Sequence, residues 1–520
     1  MAPKAQKRAN NPVRESGEPR KGSSFPIVGV GASAGGLVAF TELLTHLPLD
    51  TGMGFVLVQH LDPEHESALT QLLARATKMP VREITNNQRV EANCVYVIPP
   101  NRNLGIARGV LKLRPRPETR TPHRSIDFFF ESLAEDQRER AIGVILSGTA
   151  TDGTLGLTAI KAEGGITFAQ DESARYDSMS RSAVAAGCVD FVLSPGDIAK
   201  ELARTATHPY VAGQPPGSLP PAEDDRADAT ARAEAERGRG ERAGAEGAEN
   251  GFKRVLLLLR NHSGVDFSLY KYATIERRIT RRMVLNEDTL ENYAHFLRGN
   301  AKELDALYSD VLLSVTSFFR NPKAFDVLKR TVFPKLLQQL GDETFRAWVL
   351  GCSTGQEAYS IAMAFVEAAE DAPRMPKLQV FATDLNEALL EKARQGLYAK
   401  GLAEDVSPER LRRFFVEEEG GYRVVKSLRE RVVFARQDLI GDPPFSRMDL
   451  ISCRNLLIYL EPSVQKTALR TFHYALKPKG FLFLGASESI GGFTDLFEPV
   501  DKKQDLFQES RDESRVASAG

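Results

Sequence analysis

Two doubly wound α/β units, the second preceded by a small all-helical segment, are what this sequence of 520 residues predicts. Three observations carry that reading. Apolar runs of strand length alternate with helical patterns over residues 25–205 and again over 326–510. Between them, residues 251–325 show helical periodicity and no strand candidate. In each α/β unit a strand also turns through glycine into a helix. Gly31-Ala32-Ser33-Ala34-Gly35-Gly36 follows the apolar run 25–30, and Gly351-Cys352-Ser353-Thr354-Gly355 follows 345–350.

The elements follow in chain order. Residues 1–24 are polar and basic, with no apolar core of a secretory signal, and read as a disordered tail. In 25–205, the runs 27–30, 54–58, 141–146 and 165–168 read as buried parallel strands. Residues 94–98 and 104–113 read as a hairpin with its turn near Arg108-Gly109. Residues 206–250 form a linker: 223–250 are mostly Ala, Glu, Arg, Gly and Asp, with no large apolar side chain to bury. The second α/β unit, 326–510, offers strands at 345–350, 378–382, 432–435, 448–452 and 480–484, and 511–520 read as a frayed tail.

Composition bounds the function. A hydrophobic content of 42% supports buried cores, and a formal net charge of −1 gives no case for a nucleic-acid partner. No window approaches the ~20 apolar residues of a membrane span, so no membrane insertion is expected. Cys94, Cys188, Cys352 and Cys453 lie far apart, without C-x-x-C or zinc spacing. Reduced thiols of a cytoplasmic protein are the plain reading, and no metal site is expected.

Gly31-x-Ser33-x-Gly35 places a serine on a strand-to-helix turn, a geometry suited to an exposed nucleophile. Serine needs a base and an orienting group. His60 ends the neighbouring strand, and Asp152 follows the strand 141–146, so Ser33, His60 and Asp152 all fall at one sheet edge. The order Ser, His, Asp differs from that of α/β-hydrolases. A dinucleotide loop is the competing reading of such a turn, but it expects an acidic residue where His60 stands. His65, a rival base, lies in an acidic and solvated segment.

Residues 25–205 resemble the catalytic domain of chemotaxis protein-glutamate methylesterases of the CheB type. Gly31-Ala32-Ser33 with Gly35-Gly36, Gln59-His60, Ile98-Pro99-Pro100, Arg124-Ser125-Ile126-Asp127 and the run 143–153 carry the likeness. It implies Ser33 as nucleophile, His60 as base, Asp152 as orienter and the Thr149 amide as oxyanion donor. Ala34 stands where the family often has threonine. The receiver domain that usually precedes this one is not expected within 1–24.

The second glycine turn opens a helix, and the next strand ends in Thr383-Asp384. An acidic residue one βα unit past such a turn is placed to hold a ribose, and no G-x-x-x-x-G-K-[ST] is present. Residues 252–510 resemble chemotaxis receptor methyltransferases of the CheR type, which use S-adenosylmethionine on a Rossmann-like fold. The likeness rests on Thr316-Ser317-Phe318-Phe319-Arg320, on Gly351 through Ser360, on Ala382-Thr383-Asp384 and on Cys453-Arg454-Asn455-Leu456-Leu457-Ile458-Tyr459. It implies Thr316 and Arg320 at the methionine end of the cofactor, Glu357 near its amino group and Asp384 on the ribose. Asp438 and Leu439 then flank the adenine, and Asn455, Leu456 and Tyr459 complete the transfer pocket. Gln356, Ala358, Asp438 and Ser314 depart from the family's usual residues.

Arg277, Arg278, Arg281 and Arg282 share one helix face, with Lys271 near its start. That face is expected to be a solvated surface or to dock on the acidic helical bundle of a chemoreceptor-like protein. The sequence therefore predicts a bifunctional enzyme that esterifies glutamate side chains and hydrolyses such esters. A signalling scaffold with silent catalytic halves is the alternative. A carboxylesterase fused to a nucleic-acid methyltransferase ranks lower, because no N-P-P-Y-like base-flipping motif is present.

Overall fold

The computed structural model describes residues 25–60, 69–115, 124–149, 151–206, 208, 251–286, 288–313, 315–341, 343–370, 372, 376–401, 405–501 and 503–510. The expectations for 1–24, for the linker over 209–250 and for 511–520 lie outside the described residues, as do those for His65 and Ser314. No helix among the described residues is long and apolar enough to cross a membrane.

The first α/β unit contains β1 (Ile27–Ala32), β2 (Gly54–Gln59), β3 (Val81–Glu83), β4 (Gln88–Arg89), β5 (Cys94–Val97), β6 (Arg102–Ala107), β7 (Val110–Pro115), β8 (Ala141–Ile145), β9 (Ile166–Gln170) and β10 (Phe191–Leu193). Seven of them form a parallel sheet in the order β10-β9-β8-β1-β2-β5-β3. Helices cover both faces, so every residue of β1 and β8 is buried. That is why these runs read as continuous apolar stretches and not as alternating ones. The chain builds outward from β1 to β2 and β5, then returns to lay β8 on β1's other side. The β1/β8 boundary is thus the topological switch point.

The expected hairpin is corrected. Residues 94–97 form a fully buried parallel strand between β2 and β3. The hairpin is β6 with β7, closed by Arg108 and Gly109, both at positive φ (54° and 68°). The two-residue turn lay inside a run read as one strand. The short, partly exposed β3 and β10 escaped the sequence reading because they show no apolar run.

The second unit contains β11 (Phe345–Leu350), β12 (Leu378–Asp384), β13 (Leu397–Tyr398), β14 (Phe415–Glu418), β15 (Gly421–Val424), β16 (Val432–Arg436), β17 (Met448–Cys453), β18 (Leu476–Leu484), β19 (Phe497–Asp501) and β20 (Leu506–Glu509). Its sheet runs β16-β12-β11-β17-β18-β20-β19, parallel through β18 and closed by two antiparallel edge strands. All five expected strands are present. The edge pair and a small antiparallel sheet, β13-β15-β14, were not foreseen.

Before it, residues 251–263, Tyr272–Leu285, Leu290–Phe296 and Ala301–Val311 are helices around a core that includes Phe252, Ile279, Tyr293 and Leu307. The arginine face of Tyr272–Leu285 is neither solvated nor open for docking. Val284 belongs to the core of the first α/β unit. The Arg281 side chain has 0% exposure and pairs with Asp190 and Asp310, while its Nε donates to the Gly165 carbonyl at 3.0 Å. Arg278 donates to the Lys161 carbonyl at 2.6 Å, and Arg277 lies 3.5 Å from Glu163. Helical spacing told which arginines share a face. It did not tell that three carboxylates and two carbonyls of the same chain cover them.

Candidate active sites

Ser33 directly follows β1 at the switch point, at the C-terminal edge of the sheet. Its backbone is fixed on both sides: the Ser33 amide donates to Ser147 O and the Gly36 amide to Ser33 O, each at 3.0 Å. Gly35 makes the turn at φ 76°, where a Cβ would sit 2.6 Å from Ser147 Oγ, so only glycine fits. His60 follows β2 and Asp152 follows β8, on the same edge. His60 Nε2 and Asp152 Oδ2 are 2.7 Å apart. Among the described residues no hydrogen bond joins the Ser33 hydroxyl to His60; such contacts commonly tighten only when substrate binds. Nor does any described residue accept from the exposed Thr149 amide.

Asp152 is buried and held by a helix N-terminus. The Ile126 amide donates to Oδ2 and the Asp127 amide to Oδ1, both at 2.9 Å, at the start of Ser125–Gln137. Asp127 reciprocates: its Oδ1 accepts from Gly153 at 2.9 Å and from Gly156 at 2.8 Å. Arg124 Nε donates to Asp127 Oδ2 at 3.2 Å. Burial, then the neighbouring Asp152 charge, pushes the Asp127 carboxyl up to about 7 against the pull of Arg124. The sequence offered Arg124 to Asp127 only as a motif; that these residues build the seat of Asp152 was not read from it.

In the second unit, β11 runs into Gly351, and Ser353 takes a left-handed φ of 50°. That turn is pinned by Asp384 at the end of β12: the Ser353 amide donates to Oδ2 at 2.8 Å and the Asn386 amide to Oδ1 at 2.9 Å. Burial pushes the Asp384 carboxyl up, opposed by these amides. A cavity opens here. Asp384, Leu439, Asn455, Leu456 and Tyr459 all line it, together with Gly351. Apolar walls for a flat base and one carboxylate for vicinal hydroxyls fit S-adenosylmethionine.

Four expected residues do not line that cavity. Thr316 faces the adjoining cleft beside Ser353 and Thr354. The exposed Arg320 donates to Val315 O at 2.8 Å. Glu357 is engaged by Ser452 Oγ at 2.6 Å and by the buried Arg454 at 3.0 Å. Asp438 Oδ1 accepts from the Ile440 amide at 2.9 Å and so shapes the loop that brings Leu439 and Ile440 to the cavity.

Two further features carried no sequence signal. Tyr270 and Thr274 of the helical segment form part of the cavity wall. The buried Glu488 accepts four backbone amides, from Asn455, Leu456, Leu457 and Gly485, at 2.7 to 2.9 Å. One carboxylate thereby fixes the loop of Asn455 and Leu456.

Residues 28–202 match the CheB methylesterase family, 250–312 the all-alpha domain of CheR methyltransferases, and 314–506 the SAM binding domain of CheR methyltransferases. A chemotaxis protein methyltransferase of Listeria monocytogenes is 34% identical over 240 residues, which are 46% of this chain and 88% of that protein. An uncharacterized 104.1 kDa protein of Rhodobacter capsulatus is 38% identical over 446 residues, 85% of this chain; the chain spans 46% of that relative's length. The solved catalytic domain of the Thermotoga maritima CheB methylesterase is 28% identical, with 34% of this chain and 97% of that one covered and a TM-score of 0.33.

Proposed function

We propose two opposed reactions for this chain, which belongs to the CheR family of chemotaxis protein methyltransferases and carries a CheB methylesterase domain ahead of it. The second unit methylates glutamate side chains of a chemoreceptor-like protein, and the first hydrolyses the resulting esters to glutamate and methanol. Four free, buried cysteines fit a cytoplasmic location.

For the esterase, Ser33 Oγ attacks the ester carbonyl while His60 takes its proton. With Nε2 engaged by Asp152, Nδ1 is the nitrogen left for that transfer. The Thr149 amide faces the oxyanion. His60 then returns the proton to departing methoxide, and water repeats the sequence on the acyl-enzyme. Asp152 orients the imidazole and stabilises its charged form.

For the transferase, S-adenosylmethionine supplies an electrophilic methyl group when bound. Asp384 would hold the ribose hydroxyls, Leu439, on the loop that Asp438 shapes, would border the adenine, and Asn455, Leu456 and Tyr459 would enclose the transfer pocket. Thr316, Arg320 and Glu357 are assigned to the methionine end on the family motif alone. The attacking glutamate is already ionised near pH 7, so positioning and exclusion of water suffice, and no acid–base pair is assigned.

The observation that carries this reading is that the His60–Asp152 pair and the Asp384 cavity lie in separate units. Labelled-methyl transfer followed by a methanol-release assay tests it. Ser33→Ala stops methanol release and leaves methyl uptake intact. Asp384→Ala does the reverse, through the loss of charge-assisted hydrogen bonds that amounts to roughly 10- to 100-fold in cofactor affinity. Loss of both activities from either single change refutes independent sites. No label in any receptor-like protein points to the scaffold instead.

A further inference from the structure

The seat of Asp152 is reached from both halves of the chain. Asp127 and Asp152 fix one another: the Asp127 amide donates to Asp152, and the Asp127 carboxylate collects the Gly153 and Gly156 amides of the turn carrying Asp152. Arg124 closes on Asp127 through Nε, and its Nη1 donates to Asp405 Oδ1 at 2.9 Å. Asp405 lies in the transferase half, 281 residues further along the chain.

Three observations argue against a chance surface contact. The Asp405 side chain is only 17% exposed, and its other oxygen, Oδ2, is buried without a partner. A carboxylate is costly to bury, and Arg124 is the cation that compensates this one. Gly401, four residues earlier, passes so close to Thr151 that a Cβ there would fall on the Thr151 side chain. The loop thus abuts the residue next to Asp152. Finally, the two halves are also held together elsewhere, by the buried Arg281 and Arg278.

We propose that Asp405, Arg124 and Asp127 form a positioning chain through which the transferase half sets the orientation of Asp152, and so the reactivity of Ser33. Asp405 fixes one end of the Arg124 fork, and the other end faces Asp127. With Asp405 neutral, the half-exposed Arg124 loses its anchor, the Gly153–Gly156 turn loosens, and His60 is less well oriented. Asp127, Arg124 and Asp405 are positioning residues; none of them touches the ester. The charged groups facing this chain are Asp152 and Glu131; Glu131 in turn faces Glu135 and, across the interface, Arg320. The proposal rests on the serine-nucleophile reading above.

The test uses the full chain and a fluorophosphonate probe, which reports activated serine independently of the ester substrate. Asp405→Asn labels Ser33 about tenfold more slowly, the equivalent of one charge-assisted hydrogen bond. Methanol release falls in kcat with KM unchanged, methyl uptake stays at the wild-type level, and Asp405→Glu restores labelling. Wild-type labelling in Asp405→Asn overturns the proposal. If that variant also loses methyl uptake, Arg124→Lys decides: slow labelling at unchanged KM supports the chain, and wild-type labelling overturns it. A wild type that takes no label at Ser33 brings down the nucleophile reading itself, and this proposal with it.

Discussion

Replacing Arg281 by methionine removes the most buried charge at the junction of the two halves. The guanidinium pairs with Asp190 from the first unit and Asp310 from its own helical segment, and Nε satisfies Gly165 O. Arg281 and Lys161 together hold the Asp190 carboxyl below the usual range despite its burial. After the change, Asp190 keeps Lys161 at 3.2 Å and Thr167 Oγ1 at 2.9 Å. Asp310 keeps Arg282, at 3.8 Å, and the nearby Arg278 charge. Breaking a buried pair costs about 3 to 5 kcal/mol, and the surviving partners put this case near about 3. At 1.36 kcal/mol per decade, that is roughly a 150-fold shift toward the undocked arrangement. Hydrogen exchange over Tyr272–Leu285 and residues 161–170, with small-angle scattering for the overall dimensions, reads the shift. Asp190→Asn alters only the interface partner and separates undocking from damage inside the helical segment. Wild-type protection over both stretches in Arg281→Met, with unchanged dimensions, refutes the reasoning.

Other consequences are open to direct measurement. Glu488→Gln replaces one of two accepting oxygens by a donor, so two of the four amides from 455–457 and 485 lose their partner. The expected cost is about 2 kcal/mol or more, visible as a lower melting temperature with weaker cofactor binding by calorimetry. Asp127 titrates higher in the folded chain, at about 7, than the roughly 3.9 of a free carboxyl. Its contribution to stability is therefore full below about pH 4 and is lost as pH rises through about 7. Asp127→Asn removes that titration, so the urea midpoint of the variant improves relative to wild type between pH 5 and pH 8; a constant difference contradicts the assignment. Arg281→Met should also weaken S-adenosylmethionine binding, because the helix carrying Arg281 supplies Thr274 and Ile275 to the cavity wall. An unchanged affinity would show that wall to be independent of docking.

The parallel strands were legible because burial on both faces turns them into apolar runs, and the glycine turns because only small residues allow them. Ser33, His60, Asp152 and Asp384 could be placed from there, since each ends or follows a strand that the sequence declares. The rest depends on contacts distant in sequence. Glu488 meets Asn455 from 33 residues away, and Asp405 meets Arg124 from 281. Nothing local marks either acid. Arg281 shows the opposite difficulty: its helical spacing was plain, yet a fully buried arginine and a solvated one have the same letter and the same period. What decides between them is a carboxylate at Asp190 that the fold, and not the neighbourhood, supplies.

Opposed activities in one chain undo one another unless the two sites respond differently to one signal. The structure offers a physical basis for such a difference. Each half meets the other through a separate element. The esterase receives the loop of Gly401 and Asp405 beside Asp152. The transferase receives residues 161–165 and Asp190 against the helix that lines its cofactor cavity. Under the proposed function, a change in docking reaches both sites by different routes: the orientation of Asp152, the proposed orienting carboxylate, in one, and the wall of the cavity in the other. The first acts on turnover and the second on cofactor affinity. At a cofactor concentration far above its dissociation constant, undocking slows ester hydrolysis and leaves methyl transfer nearly untouched; near that constant it slows both. If the proposed positioning chain holds, the balance between the two proposed reactions follows docking, with no change of chemistry at either site.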